Sequence, residues 1–575
     1  MQIKFLTEKI FMINDGNEKG LTTGGVISES GTILIGCDDR LTPEIIRGIN
    51  LPDVTAIFCC DYRRSVSAGV LNFDEAVKYT HENFIALFTN PEHWWENPKN
   101  RWHLYNVTAT DDILPYGTCK VSKIADNEQI IIGNIKITAF LTPGDTDYSM
   151  SYLVEDEDVK VIFCGGLLYK GGKIPYLYRL TKDMLNRIDQ NYHGYLGGIP
   201  RWKKSLDIIS CADIAVPYFG GVIDNPKEDI AVFNKNIDEY YANYADISSM
   251  NYLYPGCLTE NAGLNINIGM RQSKEIDYPP YVKHIDQQCI ILRSKNGGAI
   301  AIDCGYNATE NLLELIRRGE IKSVDALYIT HYHDDHVDGC GKFRTHFGCP
   351  IYADKIQADI LKNPIRYRLP SISHVNVDVT PLDNGHSWRW QEFEITSFEF
   401  PGQTLYHGGL LVKNIDNGII TFFAGDSFTP SGIDDYCAYS RNFLIPGEGF
   451  FKCINILKKY MPDYIINQHR PYAFRFTSEQ LDYMQKNLTE RMRILSKLSV
   501  WNNINYAHDE YFVMAYPYEQ DKNDTVEFLI SDYAKNIKCE IVPPKHAENN
   551  KHVYGIRVYI DDIYVGQKCC FIVNK

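Results

Sequence analysis

The sequence predicts an α/β protein built from two similar α/β segments in tandem, followed by a short all-β unit. Three observations carry that expectation. Apolar strand-like runs alternate with helical periodicity from about Gly24 to Leu498. The order of these elements, with several local motifs, occurs twice. After Trp501 only short alternating runs with turns between them remain. A chain of 575 residues is also too long for one core, since domains average roughly 150 residues.

Composition narrows the class. A chain that is 44% hydrophobic and 23% charged, with 39 tyrosines, belongs among ordered globular proteins. The formal net charge of −15 argues against a general polyanion binder. Lys4, Glu8 and Lys9 interrupt the apolar start, so no secretory leader is expected. No apolar window reaches the length of a membrane span. Sixteen cysteines without an export signal suggest reduced thiols and a cytoplasmic location. Cys59-Cys60 and Cys569-Cys570 lie in strand-like runs, where neighbours face opposite sides, so they read as small core residues.

In chain order, Gly24 to Gly36 reads as a hairpin and Thr42 to Asn50 as a short helix with Pro43 in its first turn. Val54 to Cys60 is a buried strand, and Phe73 to Phe88 carries a helical apolar period. Trp94, Trp95 and Trp102 mark an aromatic-rich insertion, read as core before substrate wall. Ile130 to Phe140, Met150 to Phe163 and Asp213 to Val216 read as strands, with helix between Leu177 and Ser210. Val222 to Glu275 reads as irregular, with a boundary near its end. The second segment opens with a hairpin, Cys289 to Leu292 and Ala299 to Asp303, turned at Asn296-Gly297-Gly298. A helix over Asn311 to Ile321 precedes the strand Ala326 to Ile329. Strands follow at Phe393 to Phe400, Gly409 to Val412, Gly418 to Ala424 and Asp463 to Ile466, then a helix over Ser478 to Leu498. Tyr511 to Tyr516, Val526 to Ile530, Ile537 to Val542, Tyr554 to Ile560 and Lys568 to Val573 form the small β unit.

The strand at Ala326 ends in His331-Tyr332-His333-Asp334-Asp335-His336. Three imidazoles and two carboxylates in six residues are the donors that divalent metals prefer. Convergence of donors from several strand ends is needed to surround two ions, and Asp426 and His469 end later strands. Asp303 is a candidate to orient a ligand imidazole, against a plain turn aspartate. Asp334 reads as a solvated turn residue.

The first segment supplies an internal comparison. Val54 to Gly69 aligns with Val324 to Gly339, but Asp61, Arg63, Ser65 and Val66 stand opposite His331, His333, Asp335 and His336. Pro143-Gly144-Asp145 parallels Pro401-Gly402-Gln403, and Gly165-Gly166 parallels Gly425-Asp426. Matches in the same order indicate a tandem duplication whose first copy has lost its ligands.

With Pro401-Gly402, Gly425-Asp426 and the late His469, the motif resembles the metallo-β-lactamase-fold hydrolase superfamily, closely over Ile290 to His469 and in degenerate form over Gly24 to Phe219. The resemblance implies two tandem metallo-β-lactamase-like αβ/βα sandwich domains and a small immunoglobulin-like β-sandwich. These span 1–275 (degenerate), 276–500 (metal-binding) and 501–575 (accessory). It implies two divalent ions, zinc with iron or manganese as alternatives, and a metal-bound hydroxide as nucleophile. His331 and His333 would hold one ion, Asp335, His336 and His469 the other, and Asp426 would bridge them. The family's third ligand to the first ion is a histidine. Here that place holds Gln403, with His407 four residues on; His407 is the preferred ligand and Gln403 the alternative. Asp335 and Asp426 are the candidate catalytic carboxylates. Tyr332, Tyr406 and Arg470 are candidate substrate contacts, each with packing or surface pairing as the alternative. The implied activity is hydrolysis of a small ester, lactone, thioester, amide or phosphoester. An iron-dependent redox enzyme on the same frame and a nucleic-acid phosphodiesterase are the alternatives. A small-molecule substrate is the expected partner, membrane and nucleic acid are not, and homo-oligomer formation is left open.

Overall fold

A computed structural model describes residues 1–91, 93, 119–174, 198–256, 258, 266–286, 288–364, 372–435, 444–500, 514–516, 519–521, 527–529, 536–543, 547–548 and 551–574. The tryptophan-rich insertion lies outside these residues, as do parts of the Leu177 to Ser210 stretch and of the C-terminal runs. The fold is mixed α/β. Its contacts divide it into two compact units. One comprises Met1–Tyr241, Asn261–Gly263 and Arg493–Lys575, the other Ala242–Glu260 and Leu264–Met492.

The same succession of strands occurs in each. In the first unit an antiparallel run (Ile10–Asn14, Thr23–Ser28, Gly31–Ile35) continues into parallel strands Val54–Phe58, Val77–His81 and Ser122–Ile124. A second sheet runs antiparallel through Gln129–Ile132, Ile135–Leu141, Met150–Asp156 and Val159–Gly165 and closes with parallel Ile214–Pro217. The second unit repeats this with Val282–Asp286, Cys289–Arg293, Gly298–Ile302, then parallel Ser323–Ile329, Ile351–Asp354 and Thr380–Leu382. Its second sheet holds Ser387–Trp390, Phe393–Glu399, Gly408–Asn414, Ile420–Phe423 and parallel Tyr464–Ile466. Ile300, Ile302, Tyr328 and Ile290 from one sheet share a buried core with Ile395, Leu410, Val412 and Phe423 from the other. The alternation of strand side chains therefore places two sheets face to face.

Two expectations are corrected. The Phe73 to Phe88 stretch holds the strand Val77–His81, paired with Val54–Phe58, and helical turns only after it. Its buried positions include Lys78 and Thr80, so the strand's alternation is invisible to an apolar count, and sheet pairing overrides the local period. The region after Val222 contains a helix, Pro226–Asp246. Its inward face includes Tyr240, Tyr241 and Tyr244 beside Phe233 and Ile237, and tyrosine as a core residue disguised the amphipathic spacing.

The C-terminal unit is all-β among the described residues, with Lys551–Ile560 and Ile563–Asn574 as its long hairpin. That hairpin packs within the first unit. Asp39 accepts hydrogen bonds from Arg557 Nε at 2.8 Å, Gln567 Nε2 at 2.8 Å and the Tyr564 hydroxyl. The Arg40 guanidinium lies 3.7 Å from the Tyr564 ring centroid. At Gly566 a Cβ would fall 2.6 Å from the carbonyl oxygen of Ser65, so only glycine lets the strand come this close.

Candidate metal centre

Strand Ser323–Ile329 is buried between two parallel neighbours and delivers Thr330 and His331 at its end. The chain then turns through His333 into the short helix Asp334–Val337, which returns His336 beneath the turn. The neighbouring strand Gly298–Ile302 ends at Asp303, which is fully buried with φ of 59°. This unusual backbone turns its carboxylate inward. Asp303 accepts from Thr330 N at 2.6 Å and from Gln468 Nε2 at 2.8 Å, and pairs with His336 Nδ1 at 2.9 Å. The Nδ1 contact leaves His336 Nε2 as the atom that faces the site.

Four donor atoms converge there. His336 Nε2 lies 3.4 Å from Asp335 Oδ2 and 3.3 Å from Asp426 Oδ2. His469 Nε2 lies 3.3 Å from Asp335 Oδ2 and 2.9 Å from Asp426 Oδ2. An ion about 2.0–2.1 Å from tetrahedral donors separates them by about 3.3–3.4 Å, and the donors fall into two overlapping groups that could hold a cation, Asp335–His336–His469 and His331–His336–Asp426. His336 Nε2 is buried without a hydrogen bond of its own, as a ligand nitrogen would be. His331 joins from the other side, with Nε2 3.8 Å from Asp426 Oδ2 and 2.9 Å from His333 Nδ1. Asp335 and His469 are 38% and 34% exposed, whereas the other donors are buried, so solvent reaches the centre at these two residues.

The remaining candidates are placed as follows. Gln403 is buried, with Nε2 3.4 Å from Asp426 Oδ2 and Oε1 lacking a hydrogen-bond partner. His407 lies under His331, ring on ring at 4.7 Å, with Nε2 3.5 Å from Ser427 Oγ. Tyr332 and Tyr406 are both buried, with ring centroids 6.2 Å apart. Arg470 is half-buried, its guanidinium 5.5 Å from the Tyr252 ring centroid. Asp334 is half-buried and caps Asp335 N at 3.0 Å. Burial, Asp335 and Asp338 push its carboxyl up to about 7, so it is not the freely solvated residue expected.

The electrostatics of the centre divide its histidines. Burial, reinforced by neighbouring histidines, holds His331 well below its ordinary value, and burial lowers His333 to about 3 and His407 to about 4. Burial also opposes charge on His336 and His469, but the carboxylates win. Asp335 and Asp426 raise His336, and Asp426 raises His469. The Asp426 carboxylate is held well below the usual range by His469 and His336, against its burial. Gln468 and Thr330, which fix Asp303, were missed from sequence; adjacency to His469 and His331 was the available signal.

The equivalent turn of the first unit holds another cluster. Arg63, buried, donates from Nη2 to Asp61 at 2.7 Å and from Nη1 to Asp145 at 3.1 Å. Asp61 and Asp145 occupy the places of His331 and Gln403 in the aligned motifs. Gly166, opposite Asp426, has no room for a side chain because the Asp145 carboxylate fills that space.

Residues 285–409 match the metallo-β-lactamase superfamily. A hydroxyacylglutathione hydrolase of Wigglesworthia glossinidia brevipalpis is 30% identical over 162 residues, 28% of this chain and 53% of that protein. One from Bdellovibrio bacteriovorus is 28% identical over 109 residues, 19% of this chain and 37% of that protein. The chain thus spans at most about half the length of these relatives. Among solved structures, a metallo-β-lactamase with a HARLDQ motif from Cronobacter sakazakii shares 14% identity. It covers 40% of this chain and 96% of its own, with a TM-score of 0.30.

Proposed function

We propose that the second α/β segment, whose residues 285–409 belong to the metallo-β-lactamase superfamily, forms a metal-dependent hydrolase of small acyl substrates. The observation that supports it most is the convergence of Asp335, His336, Asp426 and His469, with His331 beside them, at separations of 2.9–3.8 Å. Bound there, a divalent ion supplies Lewis acidity and makes a water acidic near neutral pH. Two ions are the proposed complement, with zinc ahead of iron or manganese.

The protein's own groups have distinct roles in this reading. Asp303 fixes the His336 ring so that Nε2 faces the ligand set. Asp426 stays ionised and is shared between the two sides of the centre. Asp335, at the solvent edge, is placed to orient the attacking water or accept its proton. The names of the two relatives put a thioester of a hydroxy acid first among substrates, before esters, lactones, amides and phosphoesters. The first segment is proposed as a duplicate of the second without its metal chemistry, and the location as the cytoplasm. No helix among the described residues is long and apolar enough to cross a membrane.

The test combines metal analysis of purified protein with hydrolysis of a panel of thioesters, esters, lactones and phosphodiesters. Wild-type activity is expected to vanish on chelation and return with added zinc. Asp426→Ala is expected to lose at least the roughly 10²–10³-fold that one active-site electrostatic group commands. Activity that survives both treatments would sink the reading.

A further inference from the structure

We infer that the two cation positions of this centre are unequal. Asp335, His336, Asp426 and His469 form a strong site, and His331 and His333 form a weak one because Gln403 fills the place of a third imidazole. The inference rests on the metal-dependent reading above and concerns how many ions the centre keeps.

The distances separate the two sides. The shared oxygen, Asp426 Oδ2, lies 2.9 Å from His469 Nε2 and 3.3 Å from His336 Nε2, but 3.8 Å from His331 Nε2. The Asp426 carboxylate therefore leans toward the first set. That set also carries a second carboxylate, Asp335, so a dication there faces two anionic donors and two imidazoles. The other position offers His331 Nε2 and His333 Nδ1, 2.9 Å apart, plus only a share of Asp426.

Gln403 does not make up the deficit. Its Nε2, an amide N–H that cannot coordinate, is turned to Asp426 at 3.4 Å. Its Oε1 is buried without a hydrogen-bond partner, which leaves it available to a cation on this side. An amide oxygen is a poorer donor than imidazole for zinc-like ions. His407 does not supply the missing imidazole either. Its ring lies flat against His331 at an interplanar angle of 15°, and Nε2 is directed to Ser427 Oγ at 3.5 Å. Gly425 has a φ of 53°, and a Cβ there would fall 2.5 Å from that nitrogen. His407 is thus packed behind His331, with Nδ1 buried and without a hydrogen bond, and in this inference Gln403 takes the ligand place that the sequence preferred for His407.

The experiment titrates the full-length, chelator-stripped protein with Zn²⁺ by equilibrium dialysis and elemental analysis. One equivalent is expected to bind tightly and a second more weakly by at least roughly 10–100-fold, the scale that ligand-shell changes command. Gln403→His is expected to tighten the second equivalent without altering the first, and Gln403→Glu, nearly isosteric, to do so by adding charge. His469→Ala is expected to abolish the tight equivalent, and His407→Gln to leave the number of equivalents unchanged. Two equivalents of indistinguishable affinity, insensitive to both Gln403 variants, would overturn the inference and leave the hydrolase reading intact. Loss of an equivalent in His407→Gln would also overturn it. Chelator-resistant hydrolysis by a protein that binds no zinc would overturn both.

Discussion

Two turns in this molecule share a strand pattern and differ in what balances their buried charge. In the second unit, the turn from Thr330 to Val337 gathers imidazoles and carboxylates around a space suited to a dication. In the first, the corresponding turn fills that role with Arg63, whose guanidinium bridges Asp61 and Asp145. A guanidinium is permanently charged and planar, and it satisfies two carboxylates with fixed donors. A turn built this way carries its balancing cation in a side chain, and in the reading proposed above that charge is structural. The missing counterpart of Asp426 belongs to the same exchange, because the carboxylate of Asp145 occupies the space over Gly166.

The comparison breaks most directly at Arg63. Arg63→Met removes the cation that bridges two buried carboxylates, leaving Asp61 with the backbone N–H of residue 63, and is expected to cost about 3–5 kcal/mol. Hydrogen exchange should show the loss in strands Val54–Phe58 and Met150–Asp156, with the second unit's metal content unchanged. Equal protection in variant and wild type would mean that the guanidinium is not what holds the first turn.

A smaller effect is expected at Asp303. Asp303→Ala frees the His336 ring and removes one of the two acceptors of Gln468 Nε2, and zinc affinity should fall roughly 10–100-fold. Competition with a chromophoric chelator measures it; an unchanged affinity would place the control of His336 elsewhere. Gly566→Ala tests the cover over the first turn. With φ of 102° and a Cβ 2.6 Å from Ser65 O, alanine should destabilise the first unit by about 1 kcal/mol or more. Thermal unfolding unchanged from wild type would show that the hairpin does not press on that turn.

The smallest expected difference is one of pH, at two equivalent caps. His81 Nδ1 accepts from Asn83 N in the first unit, and Asp354 Oδ1 accepts from Ile356 N in the second. Burial lowers the His81 imidazole. Its contribution is present above the ordinary histidine value, about 6.5, and is lost as pH falls. Burial raises the Asp354 carboxyl to about 6. Its contribution is fully present below the ordinary value, about 3.9, and is lost as pH rises through about 6. Acidification from neutrality should therefore destabilise the surroundings of His81 and stabilise those of Asp354, read as opposite changes in the opening free energy of strands Val77–His81 and Ile351–Asp354 by hydrogen exchange. Changes in the same direction would refute it.

Much of this was legible in sequence because it is local. The hairpins, the strand before His331 and the helix before Leu498 follow from apolar spacing over a few residues. The density of His and Asp between His331 and His336 marked the centre for the same reason, and one alignment within the chain exposed its counterpart at Asp61 and Arg63. The strand Val77–His81 escaped because its buried positions are polar, and the helix Pro226–Asp246 because tyrosines form much of its inner face.

By itself, then, the sequence determined the order of elements, the doubled pattern and which turn carries donors for a metal. Tertiary structure alone decided the rest. It chose Nδ1 of His336 for Asp303, set Asp426 closer to His469 than to His331, laid His407 behind its neighbour and brought the hairpin at Gly566 onto Ser65. The physical reason is distance along the chain. Spacing within one element is written in its own residues, whereas a contact between residues of different elements, tens to hundreds of positions apart, depends on how whole sheets pack.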